Sequence, residues 1–314
     1  MTMENEAEQA PIDRRDFMVA GVGAAALAVA LGRADTAAAQ AAPGPAASPA
    51  SPPAEPGRVV VERRDAMLLV GLDRPKSANL LDVRMIIELG KAYYQFEHDD
   101  GLRVAILHGL GADFCSGFDV ASSLAARAAG TWTWPPKDPD FIDPFARPPV
   151  LTKPVVVAVQ GHTRTAGHEL FLAADIRVAA TDAVFRQGEV TRGAFPGGGA
   201  TVRFTREAGW GNAMFHMLTG EEWSAEEAHR MGLVQVLAPP GQQLDRAIEI
   251  ATKVAAAAPL GVRATLASAH QAISSENAAL QAVTAEFGRI LQSEDVKEGA
   301  RAAREGRSPV FRGQ

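Results

Sequence analysis

An apolar strand that breaks on small residues and restarts as a helix constrains this chain more than any other feature. Pro154 to Val159 is an unbroken apolar run, Thr165-Ala166-Gly167 is a small-residue junction, and Gly167 to Ala174 continues with helical patterning. Ile176 to Ala179 and Val184-Phe185-Arg186 return to strand. The same alternation opens the folded part. Val59-Val60-Val61-Glu62 and Ala66 to Leu72 predict paired strands around the turn Arg63-Arg64-Asp65. Arg74 to Asn79 is a loop, and Asp82 then caps a helix with Met85, Ile86, Leu89 and Tyr93 on one face. Val104 to Gly109 is a buried strand. Repeated strand, strand, helix units predict an α/β domain.

Downstream, Arg203 to Gly209 and Gly211 to Leu218 predict helices, and Ser224 caps another over Ala225 to Met231. From Leu244 onward the pattern is helical nearly to the end. Between Gly130 and Pro149 lie Pro135, Pro136, Pro139, Pro144 and Pro148, with Trp132 and Trp134. Such a stretch predicts a long active-site or surface loop.

Composition narrows the function classes. The 314 residues are 47% hydrophobic and 22% charged, ordinary for a globular enzyme. A net charge of −6 speaks against a nucleic-acid surface, which needs surplus Lys and Arg. The single cysteine, Cys115, excludes an internal disulfide. No Cys/His/Asn spacing supports it as a nucleophile, so a packed thiol is expected.

The N-terminal residues differ from the rest. Arg14-Arg15-Asp16-Phe17-Met18 precedes an apolar run from Val19 to Leu31, and Thr36-Ala37-Ala38-Ala39 suits a signal peptidase. This is similar to a twin-arginine export signal. Asp13 before the arginines and the acidic Glu4, Glu6 and Glu8 depart from that pattern. The apolar run is short for a membrane span, so no membrane attachment is expected of the mature form. The expected division is a signal at 1–39, an Ala/Pro-rich linker at 40–57, an α/β core at 58–243 and a helical region at 244–314. A working signal would make the protein periplasmic or otherwise exported; otherwise it is cytoplasmic.

The chemistry centres on Thr165-Ala166-Gly167-His168-Glu169 and on Gln187-Gly188-Glu189. A helix N-terminus presents unpaired backbone N–H groups and a positive dipole end, which together hold an oxyanion. Glu169 sits in that first turn, and Glu189 lies on a separate loop. Two carboxylates beside a polarised carbonyl can move protons to and from it. Taken singly, Glu169 is more simply explained as a favourable partner of the helix dipole, and Glu189 has still less to single it out.

Further motifs follow in order. They are Arg74-Pro75 to Asn79-Leu80-Leu81, Phe114-Cys115-Ser116-Gly117-Phe118-Asp119, Lys153 to Gly161, and Ala174-Asp175-Ile176. Phe185-Arg186-Gln187, Pro196-Gly197-Gly198-Gly199-Ala200, Leu218-Thr219-Gly220 and Ala228 to Val234 complete the set. From about Val59 to the C-terminus the chain resembles the crotonase superfamily, and within it the enoyl-CoA hydratase/isomerase family. The resemblance implies a spiral of ββα units with a C-terminal helical trimerisation region, giving a homotrimer or dimer of trimers. It implies an acyl-CoA substrate and a hydro-lyase, with Glu169 and Glu189 catalytic and an oxyanion hole formed by the N–H groups of Phe118 and Ala166. Lys76, Ser77, Ala78, Ser116, Asp119 and Gly167 would contact substrate. No metal or separate cofactor is implied, because coenzyme A arrives as part of the substrate.

Some positions depart from the family pattern. Members often carry Gly where this chain has Ala166, and a methyl is tolerable there only at right-handed φ. His162, Arg164 and His168 replace apolar or small residues. They pack against other elements or, for His162 and Arg164, make the acyl pocket polar. Gly306 is expected to weaken the last helix. The fold hosts several reactions. A crotonase-fold hydrolase or C–C bond hydrolase, or a non-catalytic exported binding protein, therefore stand as alternatives.

Overall fold

The computed structural model describes residues 55–133, 136–146, 151–192, 194–274, 289 and 292–314. The expected signal and nearly all of the linker lie outside them, as does Trp134.

The chain begins with a hairpin. Strand β1 (Arg58–Arg64) pairs antiparallel with β2 (Met67–Asp73), and Asp65 turns the corner at φ 53°. β1 is an exposed edge studded with arginine and glutamate, charges that discourage pairing with another chain. Helix α1 (Val83–His98) follows; the Asp82 carboxylate caps it by accepting from the Met85 N–H at 2.8 Å. Strands β3 (Val104–Gly109), β4 (Val155–Val159), β6 (Ile176–Ala180) and β9 (Val236–Ala238) then join β2 in parallel. The sheet order is β1-β2-β3-β4-β6-β9.

Period-2 alternation splits the strand side chains between two cores. Leu68, Val70, Leu72, Ala105, Leu107, Val155, Val157 and Val159 face one side with α1. Met67, Leu69, Val104, Ile106, Val156 and Ala158 face the other. That second face is covered by α7 (Gln243–Ala256) through Ala247 and Ala251, flanked by Leu244, Ile248 and Val254. The start of the helical C-terminal region is therefore part of this chain's own core.

A smaller sheet, order β5-β7-β8, carries the functional segments. β5 (His162–Arg164) runs parallel to β7 (Val184–Arg186), which pairs antiparallel with β8 (Trp223–Ser224). Around it stand α3 (Ala166–Ala173), α4 (Ala200–Ala208), α5 (Trp210–Thr219) and α6 (Ala225–Arg230). Helix α2 (Val120–Ala128) was not expected from the sequence. It buries no residue, so it has no apolar stripe to betray it, and it starts because Asp119 accepts from the Ser122 N–H at 3.0 Å. Helices α8 (Pro259–Ser274) and α9 (Glu294–Glu305) complete the described chain. Gly306 does not weaken α9. It follows the last helical residue at φ 66° and closes the helix as a left-handed cap.

Candidate active site

Backbone geometry sets the directions of the Phe118 and Ala166 N–H groups. Leu81 donates its N–H to Gly117 O at 2.8 Å, and Asp119 donates to Leu81 O at 2.9 Å. This parallel bridge uses the groups flanking Phe118 and turns the Phe118 N–H to the opposite side. A second bridge fixes the start of the same segment: Cys115 donates to His162 O and Arg164 donates to Cys115 O, both at 2.9 Å. Ala166 is the first residue of α3, so its N–H has no acceptor within the helix. Among the described residues, no backbone hydrogen bond uses the N–H of Phe118 or of Ala166.

Two glycines press these segments together. A Cβ on Gly117 would collide with Thr165 Oγ1, and one on Gly167 would collide with the Cys115 carbonyl oxygen. Gly117 also takes φ 116°, which side-chain-bearing residues rarely adopt.

Ala166 stays out of the positive-φ region, as its methyl requires. The strain falls one residue earlier, on Thr165 at φ 48°, ψ −118°. Its N–H donates to Arg186 O at 2.8 Å, which ties the strained residue to β7. A β-branched residue in such a conformation costs about 1–3 kcal/mol. Glycine relieves this but loses about 0.5–1 kcal/mol more to conformational entropy. Thr165→Gly is therefore expected to raise the melting temperature by roughly 2–4 °C, a gain near 1 kcal/mol for a domain this large. Thermal unfolding checks this; an unchanged or lowered midpoint removes strain from the account.

Glu169 is 1% exposed, one turn into α3. Its Oε1 accepts from the N–H of Gly198 at 2.7 Å and of Ala200 at 3.2 Å. Those donors open α4, so the carboxylate lies between two helix N-termini whose dipole ends favour negative charge. Gly198 has no alternative here, since a Cβ would sit 2.7 Å from Glu169 Oε2. Arg203 locks the loop: it donates to Gly198 O at 3.0 Å, Phe145 O at 2.7 Å and Ala146 O at 2.9 Å. The Phe145 ring stands 5.6 Å from that of Phe118 and also abuts Gly198. It links the Phe118 segment to the Glu169 loop.

Glu189 begins a 3-10 turn, Glu189–Arg192, just beyond β7. Burial pushes its pKa above the ordinary carboxylate value, and the Gln187 hydrogen bond and Arg192 only partly offset this. Oε1 accepts from Gln187 Nε2 at 2.7 Å, while Oε2 is buried with no hydrogen-bond partner among the described residues. Gln187 in turn meets His168 Nδ1 at 2.5 Å. His168 is fully buried among Phe171, Phe185, Phe204 and Trp223. Gln187 and His168 lie within the two glutamate motifs, but nothing in their spacing links them to Glu189, and no motif marks Arg203 or Phe145.

The other expected contacts are distributed around this centre. Ala78, at φ 48°, accepts from the Ser116 N–H at 3.0 Å and so joins the two segments. Lys76 and Ser77 form a 3-10 turn, and exposed Lys76 pairs with Glu55 at 3.1 Å. The Asp119 carboxylate is engaged by Arg74 at 2.9 Å and by the α2 cap. Arg164 pairs with Glu222 at 2.7 Å, which neutralises its charge. Cys115 is a buried thiol pushed up to about 12 by desolvation. Among the described residues no cluster of His, Cys, Asp and Glu could hold a metal, and no helix is long and apolar enough to cross a membrane.

The strand and helix order is that of a crotonase fold, and comparison with known proteins places the chain more narrowly. Residues 62–314 match the enoyl-CoA hydratase/isomerase family model. The chain belongs to the enoyl-CoA hydratase/isomerase family. It is 34% identical over 253 residues to enoyl-CoA hydratase EchA19 of Mycobacterium tuberculosis, covering 80% of this chain and 95% of that protein. It is also 34% identical to an (E)-benzylidenesuccinyl-CoA hydratase of Thauera aromatica, covering 81% of this chain and 99% of that one. A solved probable enoyl-CoA hydratase/isomerase from Mycobacterium abscessus superposes with TM-score 0.77 at 41% identity, over 82% of this chain and 98% of that chain.

Proposed function

We propose that the protein is a hydro-lyase that adds water across the double bond of a 2-enoyl-CoA. The supporting observation is a pair of glutamates on separate elements, buried Glu169 in the first turn of α3 and half-buried Glu189 joined through Gln187 to His168 of the same helix, with the Gly117 segment packed on the start of that helix. The thioester carbonyl lies against the N–H groups of Phe118 and Ala166, which stabilise the enolate oxygen as charge develops. Glu169, held by two N–H donors, takes a proton from water as its oxygen attacks Cβ. Glu189, whose pKa is raised above the ordinary carboxylate value by desolvation, supplies a proton to Cα. The product carries OH at Cβ and H at Cα, and the proton gained by Glu169 balances the one lost by Glu189. Hydration of crotonoyl-CoA by the purified full chain, followed as loss of the conjugated thioester absorbance, tests this. Thioester hydrolysis or C–C cleavage in place of hydration would shift the reading to the hydrolase alternative.

A homotrimer, or a dimer of trimers, is part of the same proposal. Val202 on α4 and Trp210, Phe215 and Leu218 on α5 are 51–71% exposed, an apolar surface a monomer would leave wet. Light scattering should give a multiple of three chains at micromolar concentration; a stable monomer refutes it.

Export through Arg14-Arg15 is also proposed, supported by the motif and the Ala37-Ala38-Ala39 patch. Replacing both arginines with lysine should retain the chain in the cytoplasm. Wild-type chain found only there with an intact N-terminus would end the export reading.

A further inference from the structure

We infer that His168 is a positioning residue: through the Gln187 amide it determines which oxygen of Glu189 carries the proton. The inference rests on the two-glutamate reading of the site. His168 occupies an aromatic enclosure, with ring centroids of Phe204 and Trp223 each 5.1 Å away and those of Phe171 and Phe185 at 5.8 and 6.0 Å. A polar ring has no packing advantage there over an apolar one. Among the described residues its one hydrogen bond is Nδ1 to Gln187 Oε1 at 2.5 Å, and Nε2 is buried without a partner. A proton on Nε2 would be an orphaned buried donor, whereas on Nδ1 it is paired. The enclosure also keeps the ring neutral, since desolvation pushes its pKa down to about 3. His168 therefore acts through its tautomer and not through charge.

An Nδ1–H donor has a directional consequence. The Gln187 carbonyl oxygen must face His168, so its NH₂ must face Glu189, where it donates to Oε1 at 2.7 Å. Oε1 is thereby an acceptor, and the acidic proton is left to Oε2, the oxygen without a hydrogen-bond partner among the described residues. Without His168 the amide is free to turn over. Its carbonyl would then accept from a protonated Oε1 and hold the proton away from substrate. The charged and titratable groups around the relay are Arg192 near Glu189, with Arg177 and His216 near His168.

His168→Leu removes the donor at similar volume, and His168→Asn restores an N–H close to the Nδ1 position. In the full-length enzyme, His168→Leu should lower kcat roughly tenfold, the worth of one lost hydrogen bond at the transition state. KM should stay within about twofold, because binding groups are untouched. The high-pH limb of the rate profile should move up, since the turned amide favours protonated Glu189. His168→Asn should recover most of kcat. Wild-type kcat and pH profile in His168→Leu overturn the inference. So does an equal kcat loss in both variants, which would mean packing alone. If His168→Leu does not fold, Gln187→Met decides. It should show the same kcat loss, and adding His168→Asn should change nothing further; an additive loss overturns the relay. NMR titration of the Glu189 carboxyl carbon in the resting protein keeps this separate from the reaction assignment. Its pKa should rise in His168→Leu even if the protein hydrates no enoyl-CoA, and an unmoved pKa refutes the relay whatever the activity.

Discussion

Glu169→Gln and Glu189→Gln should each lower enoyl-CoA hydration by roughly 100-fold or more, the usual loss when a general acid or base is removed. The chain should stay folded in both cases, because shape is kept and only charge is lost. At position 169 a glutamine carbonyl can still accept from Gly198 and Ala200, but it cannot take a proton from water. At position 189 the substitution also carries a stability signature. The folded-state pKa of Glu189 is raised by burial, so its contribution to stability is complete below the ordinary carboxylate pKa and is lost as pH rises through the folded value. Glu189→Gln should therefore melt above wild type at neutral pH, with the difference vanishing on acidification. Hydration kinetics and melting curves across pH check both claims. Either variant turning over its best substrate at near wild-type kcat would show that its glutamate is not catalytic.

Gly167→Ala should be nearly as damaging, although it touches no reacting atom. Alanine is the better helix former by about 1 kcal/mol, so α3 itself gains from the change. The new Cβ, however, collides with the backbone carbonyl of Cys115, which is fixed by Arg164 and cannot swing aside. The start of α3 must move, and the Ala166 N–H moves with it, away from the Phe118 N–H. Losing one donor of such a pair costs roughly 100-fold or more in kcat. The expected result is a large kcat loss with a helical far-UV spectrum intact. Wild-type kcat in Gly167→Ala would show that the two N–H groups need no such contact to converge.

Much of this was legible in the linear chain where one local rule decides. The apolar run Met67 to Leu72, the capping carboxylate of Asp82 and the apolar run Val155 to Val159 each specify an element without help from distant residues. Helix α2 escaped because it has no buried face to leave a periodic trace. The role of Gly306 was misjudged because propensity is the same for a glycine inside a helix and one just past its end; only the cap geometry distinguishes them. Helix α7 was assigned to the C-terminal region. Its apolar stripe does not say whether it meets the chain's own sheet or another subunit.

The candidate site divides in the same way. Sequence order and motif by themselves determined that Glu169 lies in the first turn of a helix and that Glu189 follows a strand. Contacts far apart in the chain decided the rest. Phe145 reaches Phe118, Arg203 ties Gly198 to Ala146, and Gln187 stands between His168 and Glu189. The strain at Thr165 likewise exists only because β7 holds its N–H while Gly117 packs on its hydroxyl. Local propensity acts within a few residues, whereas burial, carboxyl pKa and hydrogen-bond direction depend on what packs across the fold, and no spacing in the sequence encodes that.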